Sequence, residues 1–262
     1  MRATPSPAPT VPAASPLGAA PAVVAASVAD EARADQVASA LAASRLTLAA
    51  WRAGDGGPVV VWVDADGVAL RGPAASGADP VRPPPPPSAG RGGRDPLLRA
   101  IGAAADVIDA TAGWGVDAGV LAAAGRPVRM LERHPVLALV LADALVRWRA
   151  AGHPAATRLE LLAVDARHVL ASLRADAVLL DPMYPERGKR ARKGEDLSLA
   201  RRLVGDDDDQ GELLAVARVA ARRRVVVKRP RTAPYLAGRV PTGSIVGRTT
   251  RYDLYPPSEE PT

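Results

Sequence analysis

The chain has 262 residues, of which 48% are hydrophobic and 24% charged, enough for one large domain with a smaller appendage. It has no cysteine and three scattered histidines, which excludes a disulfide framework, a thiolate zinc site, an iron–sulfur cluster and a cysteine nucleophile, and argues against a histidine metal site. No apolar run reaches the ~18 residues of a membrane-spanning helix, and the net charge of +6, with a pI of about 10.2, fits either a polyanionic partner, most simply a nucleic acid, or the arginine richness of a GC-rich genome.

In chain order, residues 1–22 are almost entirely Ala, Pro, Ser, Thr and Val, and prolines at 5, 7, 9, 12, 16 and 21 forbid a helix there. The expectation is a disordered tail. Residues 23–50 are alanine-rich, with Val28, Val37, Leu41 and Leu46 at helical spacing and Asp30 as the candidate cap. Residues 58–71 predict two short strands around a turn at Asp66–Gly67. A small α/β unit is therefore expected over 23–81. Five consecutive prolines, Pro83–Pro87, then open a Pro/Gly/Arg linker loop over 82–96.

Beyond it the texture changes. Strands are predicted at 107–111, 128–131, 159–164, 177–182 and 224–229, and helices at 116–124, 135–150 and 211–221. Apolar strands alternating with helices predict an α/β fold with a doubly wound, mostly parallel sheet covered on both faces. Two strand-like runs in 243–256, split by Gly247–Arg248, predict an antiparallel closing hairpin, and 257–262 reads as a flexible tail.

Three motifs carry chemistry. The first is Asp109-Ala-Thr-Ala-Gly113-Trp-Gly115, between a strand and a helix. Its glycines permit a tight turn and close backbone approach to a ligand, and the helix start behind them offers free N–H groups. The second is Glu132, just past the second core strand, where an acid accepts hydrogen bonds from the ribose hydroxyls of a nucleoside cofactor. Gly113-x-Gly115-x-x-Ala118 also fits a dinucleotide fingerprint, but here an acid comes first and the glycines follow four residues later. That order resembles the class I S-adenosylmethionine-dependent methyltransferases. The third motif is Asp181-Pro182-Met183-Tyr184-Pro185. It resembles the D/N-P-P-Y/F motif of enzymes that methylate exocyclic amines, whose lone pair is delocalised into the ring and is a poor nucleophile. The Asp181 carboxylate and the Pro182 carbonyl would accept the two N–H bonds, and Tyr184 would stack on the unstacked base.

Asp165, after the third strand, would accept from an adenine amine or cap the next helix. Arg91 and Arg94 in the linker, and Arg187, Lys189, Arg190, Arg192 and Lys193 beyond the third motif, read as phosphate contacts or as solvated charge. A second basic cluster, Arg222–Arg224 with Lys228, Arg229 and Arg231, is expected near the same sheet end. The acidic run Asp206–Asp209 reads as a helix-start loop and not as a metal site, and the histidines receive no role.

The blocks DATAGWGVDAGVLAAAGRPVRMLERHPV, LLDPMYPERGKRARK and RVVVKRPRTAPYLAG resemble the RsmJ family over residues ~90–256. These are bacterial methyltransferases that act on the N2 amine of a guanine in small-subunit (16S) ribosomal RNA. The resemblance implies a class I methyltransferase domain over 97–256, S-adenosylmethionine as cofactor, 16S rRNA or the small ribosomal subunit as partner, and a cytoplasmic place of work without membrane or metal. It further implies cofactor contacts at Val116–Asp117, Glu132–Arg133, Asp165–Ala166 and Asp181. The family carries Arg where this chain has Val116, and a serine pair where it has Asp165–Ala166. Two other functions suit the same strand–helix order. One is a nicotinamide-dependent oxidoreductase, for which no hydride-site residue is evident. The other is a catalytically silent RNA-binding protein.

Overall fold

The computed structural model describes residues 20–89, 94–182, 199, 202–203 and 210–258. The predicted contacts Arg91, Tyr184, Arg187, Lys189, Arg190, Arg192 and Lys193, most of the N-terminal tail, and the run Asp206–Asp209 lie outside these residues. The chain divides into two compact units, Met1–Pro80 and Val81–Thr262.

The first unit is a four-stranded sheet in the order β2-β1-β3-β4, built from β1 (Val23–Ala25), β2 (Arg45–Leu46), β3 (Val60–Asp64) and β4 (Gly67–Arg71). β1 runs parallel to both β2 and β3, and β3–β4 is an antiparallel hairpin. Helices α1 (Glu31–Leu41) and α2 (Leu48–Arg52) complete it. Sequence periodicity gave a helix from residue 23. The structure instead puts Val23–Ala25 in the middle of the sheet, because three β-branched or small residues fit a buried strand as well as a helix. Val28 is 90% exposed and Leu46 belongs to β2, so neither lies on the helical apolar face. Val37 and Leu41 are buried with Ala34 and Ala38, the i, i+3, i+4, i+7 face of α1. Asp30 sits at the cap position, but its carboxylate accepts from the Ser27 hydroxyl and caps no helix N–H. Asp64 pairs with Gly67, which moves the hairpin turn to Ala65–Asp66, one residue earlier than expected. Gly67 has φ 114°, a conformation that suits glycine.

A pair of tryptophans packs into a core cluster with Val24, Val60 and Ala69. Trp51 and Trp62 meet at 5.0 Å between ring centroids. The Arg71 guanidinium lies 4.6 Å and 4.3 Å from the two centroids and donates from Nε to the Ala78 carbonyl.

The second unit holds α3 (Pro96–Ile101), a helix that the sequence pattern does not predict and that begins where the expected linker of 82–96 ends. Its start signals are local. Asp95 accepts from the Leu97 N–H at 2.8 Å, and Pro96 stands in the first turn, where its missing N–H costs nothing. Within the proline run, Pro83 and Pro86 are buried, and Pro86 packs so closely that a Cβ on Gly119 would meet it at 3.3 Å.

Seven strands follow: β5 (Val107–Asp109), β6 (Val128–Leu131), β7 (Leu159–Leu162), β8 (Ala175–Leu180), β9 (Ala221–Pro230), β10 (Gly243–Val246) and β11 (Thr250–Tyr255). Between them run α4 (Val116–Ala123), α5 (Pro135–Ala150), α6 (Ala166–Val169) and α7 (Gln210–Ala220). The sheet order is β10-β11-β9-β8-β5-β6-β7, parallel from β5 to β9, with β11 antiparallel to β9 and β10 antiparallel to β11. Alternation along each strand feeds two cores. Val107, Ala177, Leu179 and Val226 face α3, α4 and α5. Ile108, Val178, Leu180, Val225 and Val227 face the other way with α6 and α7. The chain builds outward from β5 to β6 and β7, then crosses back to lay β8 on the other side of β5. That reversal opens a crevice beyond the carboxyl ends of β5 and β8, where sheets of this kind bind ligands.

Candidate active site

Both acidic motifs arrive at this crevice from neighbouring strands. β5 ends on Asp109 and β8 is followed by Asp181. The two loops are tied together, since the Asp181 N–H donates to the Thr111 hydroxyl at 2.6 Å. After Thr111 the chain turns through Gly113 (φ 51°) and Gly115 (φ 70°), both in the left-handed region. Gly115 is doubly constrained, because a Cβ there would come within 2.9 Å of Leu141 Cδ1. It forms the N-cap of α4, so the first helical N–H groups face the crevice end of the fold.

Glu132 sits just past β6 and is buried. One carboxylate oxygen accepts from the Gly113 N–H and the other from the His134 N–H, each at 2.8 Å. The same side chain thus fixes the glycine loop and the entry to α5. Each carboxylate oxygen can accept more than one bond, so this bridging leaves acceptor capacity for ribose hydroxyls.

Asp109 is buried 3% exposed, with Oδ1 accepting from the Thr111 N–H at 3.2 Å. Burial, reinforced by the nearby charge of Asp117, pushes its carboxyl up to about 8. Asp109 is therefore largely protonated at neutral pH. Asp117, in the first turn of α4, accepts from the Lys228 ammonium at 2.6 Å, and Asp181 lies 2.9 Å from the same ammonium. Burial opposes the charge on Lys228, but Asp181 and Asp117 outweigh it and hold the ammonium above the ordinary lysine range. Tyr252, paired across the sheet with Lys228, is buried too, and burial followed by the charge of Asp117 pushes its phenol up to about 12.

The other predicted residues have diverse surroundings. Lys228 lies at the crevice, where its ammonium meets the carboxylates of Asp117 and Asp181. Arg229 points to the opposite face of β9 and is 3% exposed, which removes it from any rim, because consecutive strand residues face opposite ways. Arg231 follows β9 at the crevice end and is exposed, but Arg222–Arg224 lie at the opposite end of the sheet. Arg222, Arg223 and Arg224 start β9, where Arg222 pairs with Asp106 and Asp176, Arg223 donates to the Ala103 carbonyl and Arg224 to the Ala100 carbonyl. These arginines pin the loops at the amino end of the strands. Asp165 caps α6 through the Arg167 N–H and pairs with the Arg167 guanidinium at 2.6 Å. Burial would raise its carboxyl, but the bonds from Arg167 win and hold it below the usual carboxylate range. The capping bond is present, and Ala166 follows as a buried first-turn residue. Val116 is exposed at the start of α4, Arg133 is half-buried beside Glu132, and Arg94 is exposed ahead of α3. Thr111 and Tyr252 were missed as site residues. Thr111 stood in view between the acid and the first glycine, whereas Tyr252 is joined to the site only by strand pairing. His134 is buried, and burial pushes its imidazole down to about 4, so it is neutral.

Residues 87–257 match the SAM_MT family of SAM-dependent methyltransferases. The ribosomal RNA small subunit methyltransferase J of Nitrosococcus oceani is 46% identical over 176 residues, covering 63% of this chain and 69% of that protein. The chain belongs to the RsmJ family of SAM-dependent methyltransferases. The protein of the same name from Laribacter hongkongensis is 47% identical over 177 residues, 64% of this chain and 63% of that one, so this chain spans somewhat less than two thirds of that relative's length. Among solved structures, a SAM-dependent methyltransferase from Neisseria gonorrhoeae matches with a TM-score of 0.64 and 28% identity over 90% of this chain and 97% of that one. Membership of the RsmJ family supersedes the nicotinamide alternative and makes S-adenosylmethionine the cofactor. The donor set fits it. A sulfonium cation, ribose hydroxyls and amines all call for acceptors or negative charge, and Asp117, Glu132 and Asp181 supply carboxylates around a glycine turn. Among the described residues, no group of three or more His, Asp or Glu is placed to hold a metal ion, and no helix is long and apolar enough to cross a membrane.

Proposed function

We propose that this protein methylates the exocyclic N2 amine of a guanine in small-subunit ribosomal RNA, as a cytoplasmic enzyme. The observation that carries the reading is the placement of Asp181 at the switch point, with its backbone tied to the cofactor loop through Thr111 and its carboxylate beside Lys228. The names of the Nitrosococcus and Laribacter relatives support the rRNA substrate.

Glu132 and the Gly113–Gly115 turn would hold the ribose and methionine parts of the cofactor, with Asp117 beside them. Bound S-adenosylmethionine supplies an electrophilic methyl group. The chain's own work is to orient the acceptor. Asp181 and the Pro182 carbonyl take the two amine N–H bonds, which turns the nitrogen lone pair toward the crevice and favours the positive charge that nitrogen gains. That proton can leave to water afterwards, so a strong general base is unnecessary. Tyr184 would stack on the flipped base. Arg91, Arg94, Arg187, Lys189 and Arg190 would meet backbone phosphates.

The test is tritiated-methyl transfer to small-subunit rRNA from a strain lacking the gene, followed by mapping of the modified nucleotide. We expect a single N2-methylguanine, and Asp181→Ala should lower the rate at least ~10³-fold with an unchanged fold by circular dichroism. Wild-type-like turnover by that variant, or methyl transfer to another atom, would defeat the reading.

A further inference from the structure

We propose that Lys228 is a positioning residue for methyl transfer: its ammonium struts the first turn of α4 to the loop after β8, holding the Asp181 carboxylate ionised and in place to receive the amine. The inference rests on the function proposed above and deepens it.

The argument begins with residue choice. The chain has 34 basic residues and only three are lysines, at 189, 193 and 228. Where arginine is the rule, a lysine on a central strand is informative. Its position explains it. Lys228 contacts carboxylates from two different elements, Asp117 at 2.6 Å and Asp181 at 2.9 Å. A compact ammonium with three rotatable donors serves two non-coplanar acceptors, whereas the planar fork of arginine is built for one carboxylate taken side by side.

Charge makes the second part of the argument. Asp109 at the end of β5, Asp117 on α4 and Asp181 after β8 all act on this ammonium or on one another, and Tyr252 on β11 and Asp95 ahead of α3 also lie within electrostatic reach. Carboxylates so close cannot all ionise without a counter-charge. Asp109 already yields by keeping its proton. Lys228 places one positive charge between Asp117 and Asp181. The requirement is chemical, because an ionised Asp181 accepts an amine N–H, whereas a protonated one presents a donor of its own to the amine.

The strut also sets distance. Asp181 is fixed through its backbone to Thr111 in the turn after β5 and through its side chain to Lys228 on β9. A carboxylate held at both ends loses little freedom when the base arrives.

The test compares Lys228→Met and Lys228→Arg with wild type across pH 5–9. For Lys228→Met we expect kcat at pH 7 to fall ~10–100-fold and to recover as pH rises, with the acid limb displaced upward by about one to three units. KM for the RNA should change less than threefold. Lys228→Arg keeps the charge but not the geometry, so its limb should stay where wild type has it while its maximal kcat falls. A second readout needs neither RNA nor turnover: the Asp181 carboxyl carbon, identified by its loss in Asp181→Asn, is titrated by NMR with and without S-adenosylhomocysteine, and its midpoint should rise in Lys228→Met alone. A lowered kcat in Lys228→Met with an unmoved acid limb and midpoint would overturn the proposal, as would a displaced limb in Lys228→Arg, which also decides the matter if Lys228→Met fails to fold. Should wild type methylate no guanine, the carboxyl titration still reads the strut, separating its failure from that of the substrate assignment.

Discussion

The two units of this chain put their charge to opposite uses. Met1–Pro80 carries seven acidic and five basic residues, whereas Val81–Thr262 carries 29 basic and 21 acidic ones. In the first unit the prominent cation, Arg71, sits over the rings of Trp51 and Trp62 and serves packing. In the second, Lys228 sits among carboxylates at the ends of strands and serves a site. The chain's net charge of +6 therefore belongs wholly to the unit that holds the crevice. The lesson is that a basic balance becomes meaningful only after it is divided among folded units and each cation is traced to what it touches.

Four substitutions test this contrast. The largest effect is expected for Gly115→Val. A side chain at φ 70° is strained and must displace Leu141, costing about 3 kcal/mol or more and lowering Tm by roughly 6–12 °C in differential scanning calorimetry. Next is Glu132→Gln, which replaces one carboxylate oxygen with an NH2 facing a backbone N–H. Calorimetric affinity for S-adenosylhomocysteine should fall ~10–100-fold.

Asp109→Asn tests the buried proton. The folded-state value of about 8 lies above the unfolded value of 3.8, so between these pH values the folded protein holds a proton that the unfolded chain has released. The stability this contributes is complete below about pH 4 and is lost as pH rises to about 8. Asparagine keeps the shape and the bond from Thr111 without titrating. The variant should therefore show a flatter Tm between pH 5 and 8, and exceed wild type by a few degrees at pH 8. The smallest effect is expected for Arg71→Ala, ~1–2 kcal/mol from the first unit with kcat unchanged. A large loss of activity there would erase the division of labour between the units.

Much of the second unit was legible in the sequence, and the reasons are physical. Strand–helix alternation fixed a parallel sheet, and the motifs at Asp109, Glu132 and Asp181 lie where strands end. Short elements were the misses. β1 is three residues long and its Val-Val-Ala has no period to reveal, and α3 hid between a proline and a glycine although its Asp95 cap was in plain sight. Charge misled where burial decides. Lys228 and Arg229 are neighbours in sequence and look alike in composition, yet strand alternation sends one into the crevice and the other to the opposite core. The partners of Lys228 lie 111 residues away at Asp117 and 47 away at Asp181, and only strand order joins them.

The hydroxyl of Thr111 joins two loops that different substrates would ask to evolve separately. Because the peptide after Leu180 hangs from the same turn that carries the glycines, an engineer who grafts another acceptor loop onto this scaffold also perturbs the donor side. Retuning specificity here calls for replacing both loops as one cassette, or for keeping Thr111 as the fixed joint around which new chemistry is built.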